Sequence, residues 1–342
     1  MMRIALDAMG SDDHPIPDVA GAVLAAREFA DTTILLVGDE KRLKLELDKH
    51  HPAGLKIEIV HAPDMITMDD KASSVIKSKP QSSMHIGMKL VKDKQADGFA
   101  TAGNTGAALS IAMLGTLHRI RGVKRPTLSA VFRLGKQTLI LVDAGANADC
   151  KPEWLAQFAV MGHTYGQIAL NLPSPRIGIL SNGEEEGKGN DLIRTATELI
   201  RALPLNFVGN VEPKQILRGA TDVIVADGFV GNIMLKSMEA ATRTMAETLR
   251  TELTSSVLST LGAAMSRPAF KHVQKQIDPA EVGGAPLLGV NGVVIIGHGS
   301  SNAKAIKNAI GQARKAASAD LIGSLSANLG QMLSAIPVLE SE

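Results

Sequence analysis

Arg3-Ile4-Ala5-Leu6 is a short apolar run that stops at Asp7-Ala8-Met9-Gly10-Ser11-Asp12. A stretch with helical periodicity, Asp18–Phe29, comes next, and Thr33–Val37 is a second β-branched run. Strand, glycine-bearing loop, helix and strand make a βαβ unit, whose two strands run parallel. Outward from it the alternation continues. Lys56–Val60, Gly98–Thr101, Arg176–Leu180, Asn206–Val208, Val223–Val225 and Val293–Ile296 read as strands. Ser82–Lys94, Thr105–Leu117, Glu153–Ala169 and Asp191–Leu203 read as helices. This pattern predicts an α/β chain with a mostly parallel sheet covered on both faces. One stretch differs: Thr127–Leu134, Gly135-Lys136 and Gln137–Val142 read as an antiparallel hairpin with glycine at the first turn position.

Ser237–Asp278 is free of strand signals and rich in Ala, Met, Thr and Leu. It reads as two helices, the second starting at Ser266-Arg267-Pro268 with Ser266 as N-cap. Met245, Leu249, Leu253, Val257 and Leu261 recur every four residues, an apolar stripe whose first half reads as a dimer interface. Its tip carries Leu258, Leu261, Met265 and Phe270, with Arg267, Lys271, His272 and Lys275 close by. Apolar side chains beside basic ones suit a peripheral membrane contact. The whole chain, 1–342, is expected to be one catalytic domain with this protruding helical pair at about 237–278.

Composition narrows the function. Aromatics are 3% of 342 residues, too few for base-stacking platforms. A net charge of +1 gives no global field toward nucleic acid, so no nucleic-acid partner is expected. Cys150 is the only cysteine, which rules out an intramolecular disulfide and fits a reducing cytoplasm. The nine histidines are scattered without metal-ligand spacing, so no metal is expected.

Six loops carry the densest signal: Asp7–Asp12, Ala102–Gly106, Asp143–Asn147, Ser181–Gly183, Asp227–Asn232 and Gly297–Asn302. Each follows a predicted strand, and most open a helix. In an open parallel sheet those strand ends share one edge, where ligands bind. Glycine permits close backbone approach, and helix N-termini favour anions. The plain alternative is that these residues simply make turns. Gly297-His298-Gly299 imitates a dinucleotide fingerprint, but Asn302 replaces its third glycine. Gly183–Gly189 imitates a P-loop, but it is one residue short and no Ser or Thr follows Lys188.

The loops also carry a resemblance. Leu6–Gly10, Ser82–Met84, Ala102–Gly106, Val142–Pro152, Gly183–Asn190, Asp227–Asn232, Gly283–Gly289 and His298–Lys304 match, in order and spacing, the bacterial phosphate acyltransferases of phospholipid synthesis, the PlsX family. The match runs from residue 3 to about residue 310 and departs at Gly10-Ser11-Asp12-Asp13, where Gly-Gly-Asp is usual. The resemblance implies that acyl-acyl carrier protein and inorganic phosphate give acyl phosphate and free carrier protein. It implies a three-layer α/β/α fold like the isocitrate and isopropylmalate dehydrogenases, usually as a homodimer. No cofactor is implied. A cytoplasmic enzyme resting on the inner face of the membrane fits this product.

Candidate residues follow from the chemistry. A thioester is already activated, so the enzyme must hold phosphate beside it and stabilise an oxyanion. Asn182, Lys188, Asp227 and His298 are the catalytic candidates. Lys188 and Asn182 suit an anion, and His298 can donate to phosphate or protonate the leaving thiolate. Asp227 either orients such groups or caps a helix. Asp7, Gly10, Asp12, Gly103, Asn104, Thr105, Gly106, Asn147, Gly183, Gly228, Asn232, Gly299, Ser300, Ser301 and Asn302 are the expected phosphate and substrate contacts. Arg119, Arg121, Lys124 and Arg125 suit an acidic carrier protein, or else a solvated helix end. Cys150 reads as packing rather than as an acyl-enzyme nucleophile. A nicotinamide-dependent decarboxylating dehydrogenase of the same fold is the rival enzyme, but no spaced Asp cluster is evident. A non-catalytic protein recruiting carrier protein to membranes is the other rival, separated by phosphate-dependent turnover.

Overall fold

The computed structural model describes residues 1–134, 137–270, 273 and 278–333. Its strands are β1 (Met2–Asp7), β2 (Thr32–Gly38), β3 (Ile57–His61), β4 (Gly98–Thr101), β5 (Thr127–Leu134), β6 (Gln137–Val142), β7 (Ile177–Leu180), β8 (Phe207–Val211), β9 (Val223–Val225), β10 (Ala285–Leu288) and β11 (Val293–Ile296). They form one sheet in the order β3-β2-β1-β4-β11-β10-β5-β6-β9-β7-β8. Side chains alternate across a strand, so β1 shows the layering. Ile4 and Leu6 enter a core with Val19 and Ala22 of the helix Ile16–Glu28, while Ala5 enters another with Met84, Met88 and Ala107. Helices therefore cover both faces, as the nearly continuous apolar strands require.

The expected hairpin is present: β5 and β6 pair antiparallel from Ser129 opposite Val142 to Leu134 opposite Gln137. Its turn, Gly135-Lys136, lies outside the described residues. β10 went unread in the sequence because Pro286 cannot donate to a ladder. Pro286 pairs with Ile295 of β11, and the next two residues, Leu287 and Leu288, pair with β5 instead.

That strand overturns the expectation of a single loop edge. β1, β2, β3, β4 and β11 are mutually parallel. β10 is antiparallel to both β11 and β5, and β5 is antiparallel to β6. β6, β9, β7 and β8 are parallel to one another, and so run opposite to β1, β4 and β11. The loops after β1, β4 and β11 thus leave one edge of the sheet, and those after β6, β7 and β9 leave the other.

The helical excursion is present, with one break more than expected. One helix spans Gly228–Leu253 and the next Val257–Met265, capped by Ser256, whose hydroxyl accepts from the Ser259 amide. One break falls at 254–256, where the Ser256 cap starts a helix that the sequence did not show, and another at Ser266, after which 267–270 are helical again as expected. Val257 and Leu261 therefore belong to a separate helix, and the stripe from Met245 is not continuous. Val257, Leu258, Leu261 and Met265 are 81%, 82%, 60% and 85% exposed, and Phe270 and Arg267 are exposed beside them. Lys271, His272 and Lys275 lie outside the described residues. No helix among the described residues is long and apolar enough to cross a membrane.

Candidate functional site

On the first edge, three neighbouring loops interlock. The Gly297 amide donates to Thr101 O at 2.7 Å, and the Asp12 amide donates to Gly299 O at 2.8 Å. A Cβ on Gly10 would sit 2.8 Å from the Gly103 amide, so only glycine lets the β1 and β4 loops touch. Asp7 is buried; its carboxylate accepts from the Met9 amide and from Thr101 Oγ1 at 2.8 Å, and burial raises its pKa. It organises the loop from beneath rather than facing a ligand. Asn104 is likewise engaged: its Oδ1 caps the helix Thr105–Ser110, and its Nδ2 donates to the carbonyls of Thr67, Met68 and Asp70. Thr105 and Gly106 form the first turn of that helix, with Thr105 exposed.

His298 is exposed at the centre of this edge. Its Nδ1 accepts from the Ser300 amide at 3.2 Å and lies 2.8 Å from Ser300 Oγ. An amide only donates, so the neutral ring carries its hydrogen on Nε2, which points away from the loop contacts. Ser301 is buried, and Asn302 caps the helix Ala303–Ser318 through the Ala305 amide. A cleft of about 660 Å³ lies beside them, lined by Asp13, His14, Ser300, Ser301 and Asn302.

The opposite edge carries the remaining candidates. Asp143 is fully buried and was not singled out in the sequence. Its Oδ1 accepts from the amides of Leu128, Gly145 and Ala146, and its Oδ2 from the Asn147 amide and Nδ2 at 2.8 Å. Burial raises its pKa, and those bonds oppose the rise. Asp227 caps the helix Gly228–Leu253 through the amides of Phe229 and Val230. Of its two readings, the structure has the cap. A signal for all three aspartates was available: each ends a strand or follows one by one or two residues, and bonds amides two or three residues on, the habit of Asx turns.

Gly228 donates to Asn147 O at 2.7 Å, and a Cβ there would meet that oxygen at 2.7 Å. Asn232 packs against Gly145. Asn182 is committed to the Gly189 amide through Oδ1 at 3.0 Å. Lys188 is exposed, its stem lies over Gly183, and its ammonium has no partner among the described residues. Cys150 donates to Asn147 O, and burial pushes its thiol up to about 12.

The basic loop belongs to this second edge as well. Pro126 O accepts from Asn147 Nδ2, and the Lys124 amide donates to Gln157 of the helix Pro152–Leu170. Arg119 donates to Lys124 O, and Arg125 stacks 4.9 Å from the Trp154 ring centre. Arg121 and Lys124 are exposed with no ion pair among the described residues. His298 is thus separated from Asn182, Lys188 and Asp227. Among the described residues, no hydrogen bond or ion pair joins the two edges.

Known proteins share these features. Residues 2–323 match the family model described as "Fatty acid synthesis protein". The chain is 50% identical to the phosphate acyltransferase of Acidobacterium capsulatum over 95% of this chain and 96% of that one. It is 46% identical to that of Geobacter sulfurreducens over 90% of this chain and 89% of that one. Among solved structures, a phosphotransacetylase from Streptococcus pyogenes is similar at a TM-score of 0.60 and 19% identity, covering 94% of both chains. A putative 4-hydroxythreonine-4-phosphate dehydrogenase from Salmonella typhimurium is similar at 0.50 and 16%, covering 92% of this chain and 99% of that one. Those two likenesses show the fold alone, one shared by transacylases and a dehydrogenase as expected. With a family model spanning nearly the whole chain and relatives near half identity, the chain belongs to the phosphate acyltransferase family.

Proposed function

We propose that the chain transfers an acyl group from acyl carrier protein to inorganic phosphate, with the chemistry at the first edge. The interlocked β1, β4 and β11 loops around His298 Nε2 carry this reading. A phosphate oxygen attacks the thioester carbon, the carbon–sulfur bond breaks, and the hydrogen phosphate proton ends on the departing thiol. His298 Nε2–H and the amides of the first turn at Thr105 and Gly106 supply donors for phosphate and the oxyanion. Asp7 and Asn104 position these loops. Ser300 fixes the His298 tautomer.

The carrier protein docks on Arg119, Arg121, Lys124 and Arg125, with Lys188 adding charge at the same edge. The two edges of one sheet face opposite ways. A homodimer resolves this by setting the basic loop of one copy beside the His298 loop of the other. Phe229, Ile233, Met245 and Leu249, all exposed on the helix Gly228–Leu253, supply an apolar surface for that contact. The tip at Leu258, Leu261, Met265 and Phe270 rests on the inner face of the membrane.

The test is turnover in phosphate with long-chain acyl-carrier protein and hydroxylamine. The expected product is a hydroxamate whose yield depends on phosphate and needs neither metal nor nucleotide. Carrier release with no trapped product, or product without phosphate, sinks the reading.

A further inference from the structure

Asp18 lies on the helix Ile16–Glu28, beneath the first edge, and has no part in the chemistry above. It is fully buried, as is Ser11 to within 2%. Its Oδ2 is 2.5 Å from Ser11 Oγ, and its Oδ1 is buried with no hydrogen-bond partner. The charged group that acts on it is another buried carboxyl, Asp7. An ionised carboxylate in that position leaves one oxygen unsolvated and faces a like charge, both strongly unfavourable. A neutral carboxyl removes the charge that makes both so costly.

We propose that Asp18 is a positioning residue: its buried carboxyl accepts from Ser11 Oγ and fixes the 8–14 loop against the His298 loop. Ser11 stands at the corner that makes this effective. Its carbonyl accepts from the His14 amide at 3.3 Å and from His14 Nδ1 at 2.7 Å. The next residue, Asp12, donates its amide to Gly299 O, one residue from His298. Asp18 acts on the anion site through Ser11 and Asp12 without touching a substrate. His14 Nδ1 carries a hydrogen in this arrangement, because a carbonyl only accepts.

The inference rests on placing the chemistry at the first edge, and its test separates the two. Phosphate KM, kcat and melting temperature are measured for Ser11→Ala, Asp18→Ala, Asp18→Asn and Ser11→Ala/Asp18→Ala. Both alanines raise phosphate KM by about ten-fold with a smaller change in kcat. The double variant is no worse than either single one, as for two partners in one bond. Asp18→Asn, whose side-chain oxygen still accepts from Ser11 Oγ, stays within about three-fold of wild type. If Asp18→Asn is as impaired as Asp18→Ala, or the two alanine effects add, the proposal is overturned. Should Asp18→Ala fail to fold, Ser11→Ala against Ser11→Ala/Asp18→Asn takes its place, with the same reading. His298→Ala decides the edge separately: full activity there removes the first-edge placement. The Ser11–Asp18 bond is then judged by the melting temperatures alone, where additive losses overturn it.

Discussion

Asp7, Asp143 and Asp227 each lie at a strand's end or within two residues of it and bond the amides that follow. Their carboxylates are spent on loop shape, which in the proposed site leaves backbone amides and His298 to meet an anion. Cys150 is also occupied and its thiol sits at about 12, so almost none is thiolate near neutral pH. Cys150→Ser is therefore expected to keep most of its hydroxamate yield; complete loss in a protein that melts normally points to an acyl-enzyme instead. Asp18 gives a pH prediction. Burial lifts its carboxyl from 3.8 to about 7. Between those values the folded chain holds a proton that the unfolded chain has released, so this contribution to stability declines as pH rises through the window and is flat above it. Asp18→Asn lacks the group, while Asp7 and His14 are present in both proteins. Its melting temperature should gain on wild type from about pH 5 to about pH 8; a constant difference shows that Asp18 is charged in the folded chain. The glycine loops were legible in the sequence because glycine and asparagine have few other uses at strand ends. Asp18 was not, because an aspartate in a helix's first turn normally serves the dipole.

At the scale of elements, periodicity located most strands to within a residue or two, and β4, β5, β6, β9 and β11 to the residue. It found the helix start at Ser266 but missed the break at 254–256, because an every-four-residue stripe does not register a break between two helices of the same composition. The resulting short helix Val257–Met265 has no buried residue. On a membrane, each large apolar side chain it buries contributes about 1.5–3 kcal/mol, enough in sum for reversible attachment. Leu258→Glu/Leu261→Glu should leave the protein folded and abolish flotation with anionic liposomes. Equal flotation of both proteins, or of neither, removes the tip as the anchor.

Over the whole molecule, the α/β class and the covered sheet were legible, because parallel strands buried on both faces read as short apolar runs. Strand direction was not. It turns on Pro286, which made β10 look like a loop, and on only two residue pairs, Leu287 with Leu128 and Leu288 with Thr127, joining the halves. Reversing direction there separates residues that the motif order had placed together. If the proposed site takes one surface from each copy, a damaged chain can be repaired by a neighbour damaged elsewhere. His298→Ala disables one surface, and Arg121→Glu/Lys124→Glu the other. When the two inactive proteins are unfolded, mixed in equal amounts and refolded, half the dimers are hybrids, each with one site built from undamaged parts. Roughly a quarter of wild-type turnover should return, as two-fold pairing dictates. A mixture as dead as its components would mean that each chain works alone.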